Sequence, residues 1–208
     1  MSPEHGTGQT GAKVAAIVPA AGRSSRMAPH NKLLQAINGE PMVRRVATVA
    51  LASGARPVIV VTGYDAGSVA DALRGLEVRI VHNPSYADGL STSLRAGLRA
   101  LPEGCDGALI CLGDMPGIEV GVLRALITAF EASGRDAICV PVRHGRQGNP
   151  VLWGASYFAE MMAIDGDRGA KPMIARHADH VIEMEVATNG IFEDVDAPSD
   201  LARLKVRR

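Results

Sequence analysis

Two arginines, two serines and a lysine gather around the loop after the first apolar run. The loop reads Ala20-Ala21-Gly22-Arg23-Ser24-Ser25-Arg26-Met27, with Lys32 shortly after. Before it stands Val14-Ala15-Ala16-Ile17-Val18-Pro19, a buried-strand pattern. Small residues let a backbone approach a ligand closely. Successive N–H groups in such a turn cradle phosphate oxygens. Arg26 and Lys32 add fixed positive charge, one as a planar fork, the other as a point charge. These types at this spacing predict a loop that grips a nucleoside triphosphate. Neither G-x-x-x-x-G-K-[ST] nor G-x-G-x-x-G follows the strand, so the common phosphate loops are excluded. The plain alternative is a Gly/Ser turn with solvated basic residues.

Carboxylates recur at two other places. Leu112-Gly113-Asp114-Met115-Pro116 sets an acid after an apolar run, with Pro116 fixing the turn. An aspartate at a strand end suits Mg²⁺, which takes oxygen ligands and keeps several waters. The alternative for Asp114 is a cap on the following helix. Glu193-Asp194-Val195-Asp196-Ala197-Pro198-Ser199-Asp200 is the second acidic stretch. An extended Phe192–Asp196 would point Asp194 and Asp196 to one side. Asp200 falls in the first turn of a helix starting near Pro198, where negative charge suits the helix dipole. Asn83-Pro84-Ser85-Tyr86-Ala87-Asp88-Gly89-Leu90-Ser91-Thr92-Ser93 is a loop entering a helix. There Ser91 or Ser93 serves either as an N-cap or as a ligand for ribose or phosphate.

Positioning these loops requires strands, and the apolar pattern alternates strand with helix. Strands are predicted at Val14–Pro19, Val58–Thr62, Val78–Val81, Ala108–Leu112 and Ala137–Pro141, with a further short run at Val151–Trp153. The continuous β-branched run Val58-Ile59-Val60-Val61-Thr62 marks a strand buried on both faces. Helices are expected from Pro41 to Leu51, Val69 to Leu73, Ser91 to Leu101 and Val120 to Ala132, with one more near the terminus. This order predicts an α/β fold of Rossmann-like three-layer α/β/α type with a mostly parallel sheet. Ligands in such sheets bind beyond the carboxyl ends of the strands.

The 208 residues suit one domain over residues 14–208, behind a polar, flexible tail at residues 1–13. Apolar residues make up 47% and charged residues 21%, which excludes a disordered chain. Net charge is zero, which argues against a nucleic-acid partner held by a broad basic surface. No run has the length of a membrane helix, and residues 1–13 lack the apolar core of a signal peptide. Cys105, Cys111 and Cys139 lack paired metal spacing and read as reduced thiols of a cytoplasmic protein. The histidines form no metal-ligand spacing, and His144 opens the polar stretch His144–Pro150.

The ordered motifs A-A-G-x-S-x-R-M…K, N-P-x-x-x-x-G-x-S-x-S-L-x-x-G, L-G-D-M-P, G-x-x-G-N-P-V-L, G-D-x-G-A and D-V-D-x-P-x-D-L resemble the molybdenum-cofactor nucleotidyltransferases. The resemblance spans roughly residues 14–206 and is closest to the molybdenum cofactor cytidylyltransferase branch. Methylerythritol-phosphate cytidylyltransferase shares the opening V-P-A-A-G…R-M…K. Ala28 stands where the family usually has glycine. Ala20-Ala21-Gly22 stands where the guanylyl-transferring branch reads A-G-G, which favours CTP over GTP.

The resemblance implies a nucleotide-diphospho-sugar-transferase type of fold and Mg²⁺-dependent transfer of CMP to a phosphorylated acceptor such as molybdopterin. It implies that Arg26 and Lys32 stabilise the triphosphate. Ala20, Ala21, Gly22, Arg23, Ser24, Asn83, Gly89, Ser91 and Ser93 would bind the nucleotide. Asp114 and Asp196 would hold the metal, with Asp194 as third ligand or partner of a metal-bound water. Arg146, Asn149, Asp167 and Arg168 would meet the acceptor. A transient contact with a molybdoenzyme follows from the same likeness. Alternatives are a guanylyltransferase of the same cofactor, a methylerythritol-phosphate cytidylyltransferase, and a non-catalytic nucleotide-binding cofactor chaperone.

Overall fold

Strand β1 (Val14–Ala20) is wholly buried and lies near the middle of an eight-stranded sheet. The computed structural model describes residues 11–24, 27, 30–166 and 169–206. Around β1 the described chain adds β2 (Ala36–Ile37), β3 (Glu40–Pro41), β4 (Val58–Thr62), β5 (Val78–His82), β6 (Gly107–Ile110), β7 (Ile138–Arg143), β8 (Arg146–Gln147), β9 (Val151–Gly154) and β10 (Val181–Glu185). The helices are α1 (Met42–Ala52), α2 (Ala66–Ala72), α3 (Leu90–Arg99), α4 (Val120–Ala132), α5 (Phe158–Met162), α6 (Lys171–Arg176) and α7 (Pro198–Val206).

The sheet runs β10-β7-β9-β6-β1-β4-β5, with β8 paired to β7. Strand β1 pairs in parallel with β4 on one side and β6 on the other, and β5 continues in parallel from β4. Strand β9 is antiparallel to both β6 and β7, so it separates the two parallel groups. Strand β10 pairs in parallel with β7. The expected α/β architecture with a mostly parallel sheet is the one observed.

Strand alternation sorts the core into two layers. Val14, Ala16, Val18, Val58, Val60, Leu109 and Cys111 face the layer that holds α1 and α4. Ile17, Ile59, Val61, Ala108, Ile110 and Trp153 face the layer that holds α3, α5 and α6. On α4, Val122, Leu123, Leu126 and Phe130 form the buried stripe. Full burial of each such Leu or Phe contributes about 1.5–3 kcal/mol. Burial pushes the thiols of Cys111 and Cys139 up, to about 12 and about 11, while Cys105 is half-buried. Among the described residues no helix is long and apolar enough to cross a membrane.

Several expectations shift. Just before β1, Ala12 N donates to Glu131 Oε1 at 2.8 Å and Lys13 N to Asp106 Oδ2 at 2.7 Å. Residues 1–10 of the expected tail lie outside the described residues. Helix α3 starts at Leu90 with Gly89 as its N-cap, in place of Ser91 or Ser93. Gly89 takes φ +105°, a conformation that costs glycine little. The expected extended run Phe192–Asp196 is not a strand. A 3-10 turn covers Gly190–Phe192, and residues 193–197 are irregular. Strand β10, helix α5 and the short pair β2–β3 were not expected.

Candidate active site

Three loops converge at the carboxyl ends of β1 and β6. After β6 the chain stays beside β1: Cys111 N donates to Ile17 O at 2.9 Å and Gly113 N to Pro19 O at 3.2 Å. A Cβ at residue 113 would lie 2.8 Å from Pro19 O, so only glycine permits this approach. Asp114 is thereby delivered to the end of β1.

The second arm is the loop after β1. Asn31 caps the 3-10 turn Lys32–Leu34, accepting from Leu33 N at 3.1 Å. Ser24, with φ +53°, accepts from Lys32 N at 3.1 Å and donates to Asn31 Oδ1 at 3.3 Å. These bonds aim Lys32 inward, and its side chain is only 14% exposed. Its Nζ meets Asp114 Oδ2 at 2.7 Å and Asp196 Oδ1 at 2.7 Å. Burial alone would lower the Lys32 pKa. The charges and hydrogen bonds of Asp114 and Asp196 outweigh burial and raise it, so the ammonium is held charged.

The third arm carries Asp196. Val195 N donates to Asp114 O at 2.9 Å, clipping the two acidic loops together. Val195 is fully buried in a cluster with Met27, Ile37, Met42 and Leu201. Asp200 Oδ2 accepts from Asp196 N at 3.1 Å and Ala197 N at 2.9 Å. Bonds from the Ala197 and Asp196 backbones, with Arg203 beside them, hold the Asp200 carboxyl below its usual range. Asp200 therefore fixes the backbone of Asp196 as well as opening α7.

The resulting cleft has a volume of about 480 Å³. Ala20, Ala21, Gly22, Arg23, Ser24, Lys32, Gly89, Ser93, Asp114 and Asp196, all singled out from sequence, line it. A Cβ at Gly22 would meet nothing within 4 Å, and Gly22 has no positive φ. The protein's own packing makes no demand for glycine there, as suits backbone that faces a ligand. Sequence reasoning missed Tyr86 as a wall. The Arg23 guanidinium lies 5.7 Å from the Tyr86 ring centroid, and Tyr86 leans on Tyr64 with centroids 6.5 Å apart.

Other candidates fall elsewhere. Asp194 is exposed and outside the cleft lining, on irregular backbone where strand alternation does not apply. Asn83 is 3% exposed and works as an internal strut. Its Nδ2 donates to Thr92 Oγ1 at 2.8 Å and Ser93 Oγ at 3.1 Å, while its Oδ1 accepts from Ser85 N at 3.0 Å. Ser91 is 1% exposed, its N–H donates to Gly166 O at 3.1 Å, and it does not line the cleft. Arg146 is exposed and stacks 4.4 Å from the Phe192 ring centroid. Arg26, Asp167 and Arg168 lie outside the described residues.

A second, smaller cavity of about 170 Å³ adjoins the cleft through shared Leu90 and Leu112. Trp153, Leu94, Ile110 and Ile174 make it apolar, while Gln147, Asn149 and Lys171 supply polar groups. Of the acceptor candidates among the described residues, Asn149 alone lines it.

The Asp114 and Asp196 oxygens touch one cation, so they are close enough to share another. Mg²⁺ is commonly held by one or two carboxylates with phosphates and water completing the shell. The donor set fits that use.

Comparison with known proteins agrees with this geometry. The chain is 27% identical over 192 residues to the molybdenum cofactor cytidylyltransferase of Escherichia coli K12, covering 92% of this chain and 95% of that one. The crystal structure of Rv0371c from Mycobacterium tuberculosis H37Rv superposes with a TM-score of 0.84 at 26% identity, covering 94% and 99% of the two chains. A manganese complex of Rv0371c from the same organism gives a TM-score of 0.77 at 26% identity, covering 94% and 98%. The profile of the MobA-like NTP transferase domain matches residues 16–181. On the fold, the cleft and that match, the chain belongs to the MobA-like NTP transferase domain family and is a nucleotidyltransferase.

Proposed function

We propose that the protein transfers CMP from CTP to a phosphorylated acceptor, molybdopterin, with Mg²⁺ as the metal. The observation that carries this reading is the contact of Lys32 Nζ with Asp114 and Asp196, facing the Ala20–Ser24 backbone across one cleft. An oxygen of the acceptor phosphate attacks the α-phosphorus of CTP. The bond from that phosphorus to the bridging oxygen breaks, and pyrophosphate leaves with the electron pair. Such a reaction needs positioning and charge neutralisation more than a covalent nucleophile. The loop after β1 cradles the phosphates, Lys32 meets their developing charge, and Ser93 and Gly89 border the nucleotide. Asp114 and Asp196 would hold Mg²⁺, which would supply neutralisation of phosphate charge.

The acceptor reading rests on the smaller cavity. Its walls of Trp153, Leu94, Ile110 and Ile174 suit a flat ring system better than the polyol of methylerythritol phosphate. Similarity to the Escherichia coli cytidylyltransferase over 92% of the chain supports the cytidine choice. The test is pyrophosphate release with CTP or GTP crossed against molybdopterin, with and without molybdate, and methylerythritol phosphate. CTP with molybdopterin is expected to give the fastest release. Faster release with GTP, or with methylerythritol phosphate, rejects the substrate assignment. Nucleotide binding without release in any pair points to a cofactor chaperone.

A further inference from the structure

Two carboxylates in the cleft hold a cation already, and that cation is part of the chain. Lys32 Nζ contacts Asp114 Oδ2 and Asp196 Oδ1 at 2.7 Å each. The ammonium sits on the oxygens that a divalent ion at this site would need. Two cations cannot share that position, because like charges at contact repel strongly. Lys32 also lines the cleft beside the Ala20–Ser24 backbone. Its side chain is a flexible four-carbon stem with a compact charge at the tip. An ammonium leaving the carboxylates therefore turns into the space that triphosphate oxygens would fill.

We propose that Lys32 is an internal occupant of the divalent-cation site, exchanged for the metal as the nucleotide binds. The proposal rests on the nucleotidyltransferase reading and adds an order of events to it. Before the exchange, the ammonium neutralises Asp114 and Asp196 and keeps the acid pair together. A triphosphate gives the ammonium new anionic partners and the metal new ligands. Nucleotide and metal then bind with mutual reinforcement, and each raises the affinity of the other by the same factor. Without nucleotide the site resists metal. The competing view makes Lys32 a permanent brace that stays on the carboxylates throughout.

The two views part in the nucleotide-free protein. Mn²⁺ binding is followed by loss of the free-ion electron paramagnetic resonance signal. Lys32→Met removes the charge and keeps an unbranched chain. With its competitor gone, the variant is expected to bind Mn²⁺ about tenfold tighter or more than the parent, since removing a contact charge at a partly buried site is a large effect. Equal or weaker binding overturns the proposal.

A measurement on the unaltered protein stands even if that variant fails to fold. With ¹⁵N-labelled lysine, the Lys32 Nζ protons should be protected from exchange by their two carboxylate bonds. Saturating Mg²⁺ together with a non-hydrolysable CTP analogue should shift that resonance. An Nζ signal unchanged by metal and nucleotide overturns the exchange. CTP-dependent pyrophosphate release by the unaltered protein is scored alongside. Release with no gain in Mn²⁺ affinity in Lys32→Met sinks the exchange and leaves the reading. A gain without release by the unaltered protein keeps the exchange and sinks the reading.

Discussion

The two halves of the cleft are built on different principles. On the nucleotide side, each functional group is fixed by backbone hydrogen bonds to a central parallel strand or to a loop clipped onto it. Gly113 N to Pro19 O, Val195 N to Asp114 O and Lys32 N to Ser24 Oγ are examples. On the side proposed for the acceptor, the walls come from α3, the end of β6, antiparallel β9, residues 147–149 and the start of α6. There the polar groups stand singly on an apolar floor. The side proposed for the triphosphate and its metal is held by the scaffold itself. The side proposed for the acceptor uses α3 and β6, both packed on β1, as an apolar floor and adds single polar groups from residues 147–149 and the start of α6.

If that contrast is right, damage on the two sides differs in kind and size. Asp114→Ala and Asp196→Ala should each abolish measurable transfer while the protein stays folded, a barrier cost of several kcal/mol, roughly 3–4 or more. Single-turnover pyrophosphate release and circular dichroism check this together. Wild-type rates at saturating Mg²⁺ would break the nucleotide-side argument.

Lys171→Ala, on the rim of the apolar cavity, should raise KM for the acceptor about tenfold and leave KM for CTP unchanged, a loss of about 1.4 kcal/mol. Parallel kinetics with each substrate varied will show it. A raised KM for CTP would mean that the two regions are not separable.

Asp200 offers a smaller effect with a pH signature. Its folded pKa is depressed, so its contribution to stability is present above the ordinary carboxylate value. That contribution is lost as pH falls through the depressed folded value. Melting temperatures of the parent and Asp200→Asn should differ at neutral pH and converge in acid. A constant gap across the acid range would detach Asp200 from α7 and from the Asp196 backbone.

The smallest effect is expected from Asp194→Ala, which lies outside the cleft and should keep parental kinetics. A large loss there would restore Asp194 to the metal.

The sequence carried the nucleotide side well because its groups follow apolar strands directly. Val14–Pro19 and Ala108–Leu112 are strand-like by composition; Asp114 stands two residues past Leu112, and Lys32 thirteen past Pro19 at the far end of the loop. Asp194 and Asp196 were harder to rank. Alternation holds only for extended chain, and burial of Val195 beside Met27 and Met42 decides the geometry instead. Asn83 looked like a ligand because a polar loop residue has no visible internal partners in sequence. Its partners, Thr92 and Ser93, appear only when α3 folds back. Trp153, Leu94 and Ile110 read as core residues, and nothing in their spacing marks the cavity they border. Strand β10 pairs along one side only, so its weak run Val-Ile-Glu-Met-Glu gave little signal.

Lys32 joins Asp114 across 82 positions of chain and Asp196 across 164. Closing such long loops is entropically costly and belongs to the later stages of folding. The triad therefore ties three distant stretches of the chain to one point, and its geometry is a property of the completed fold alone.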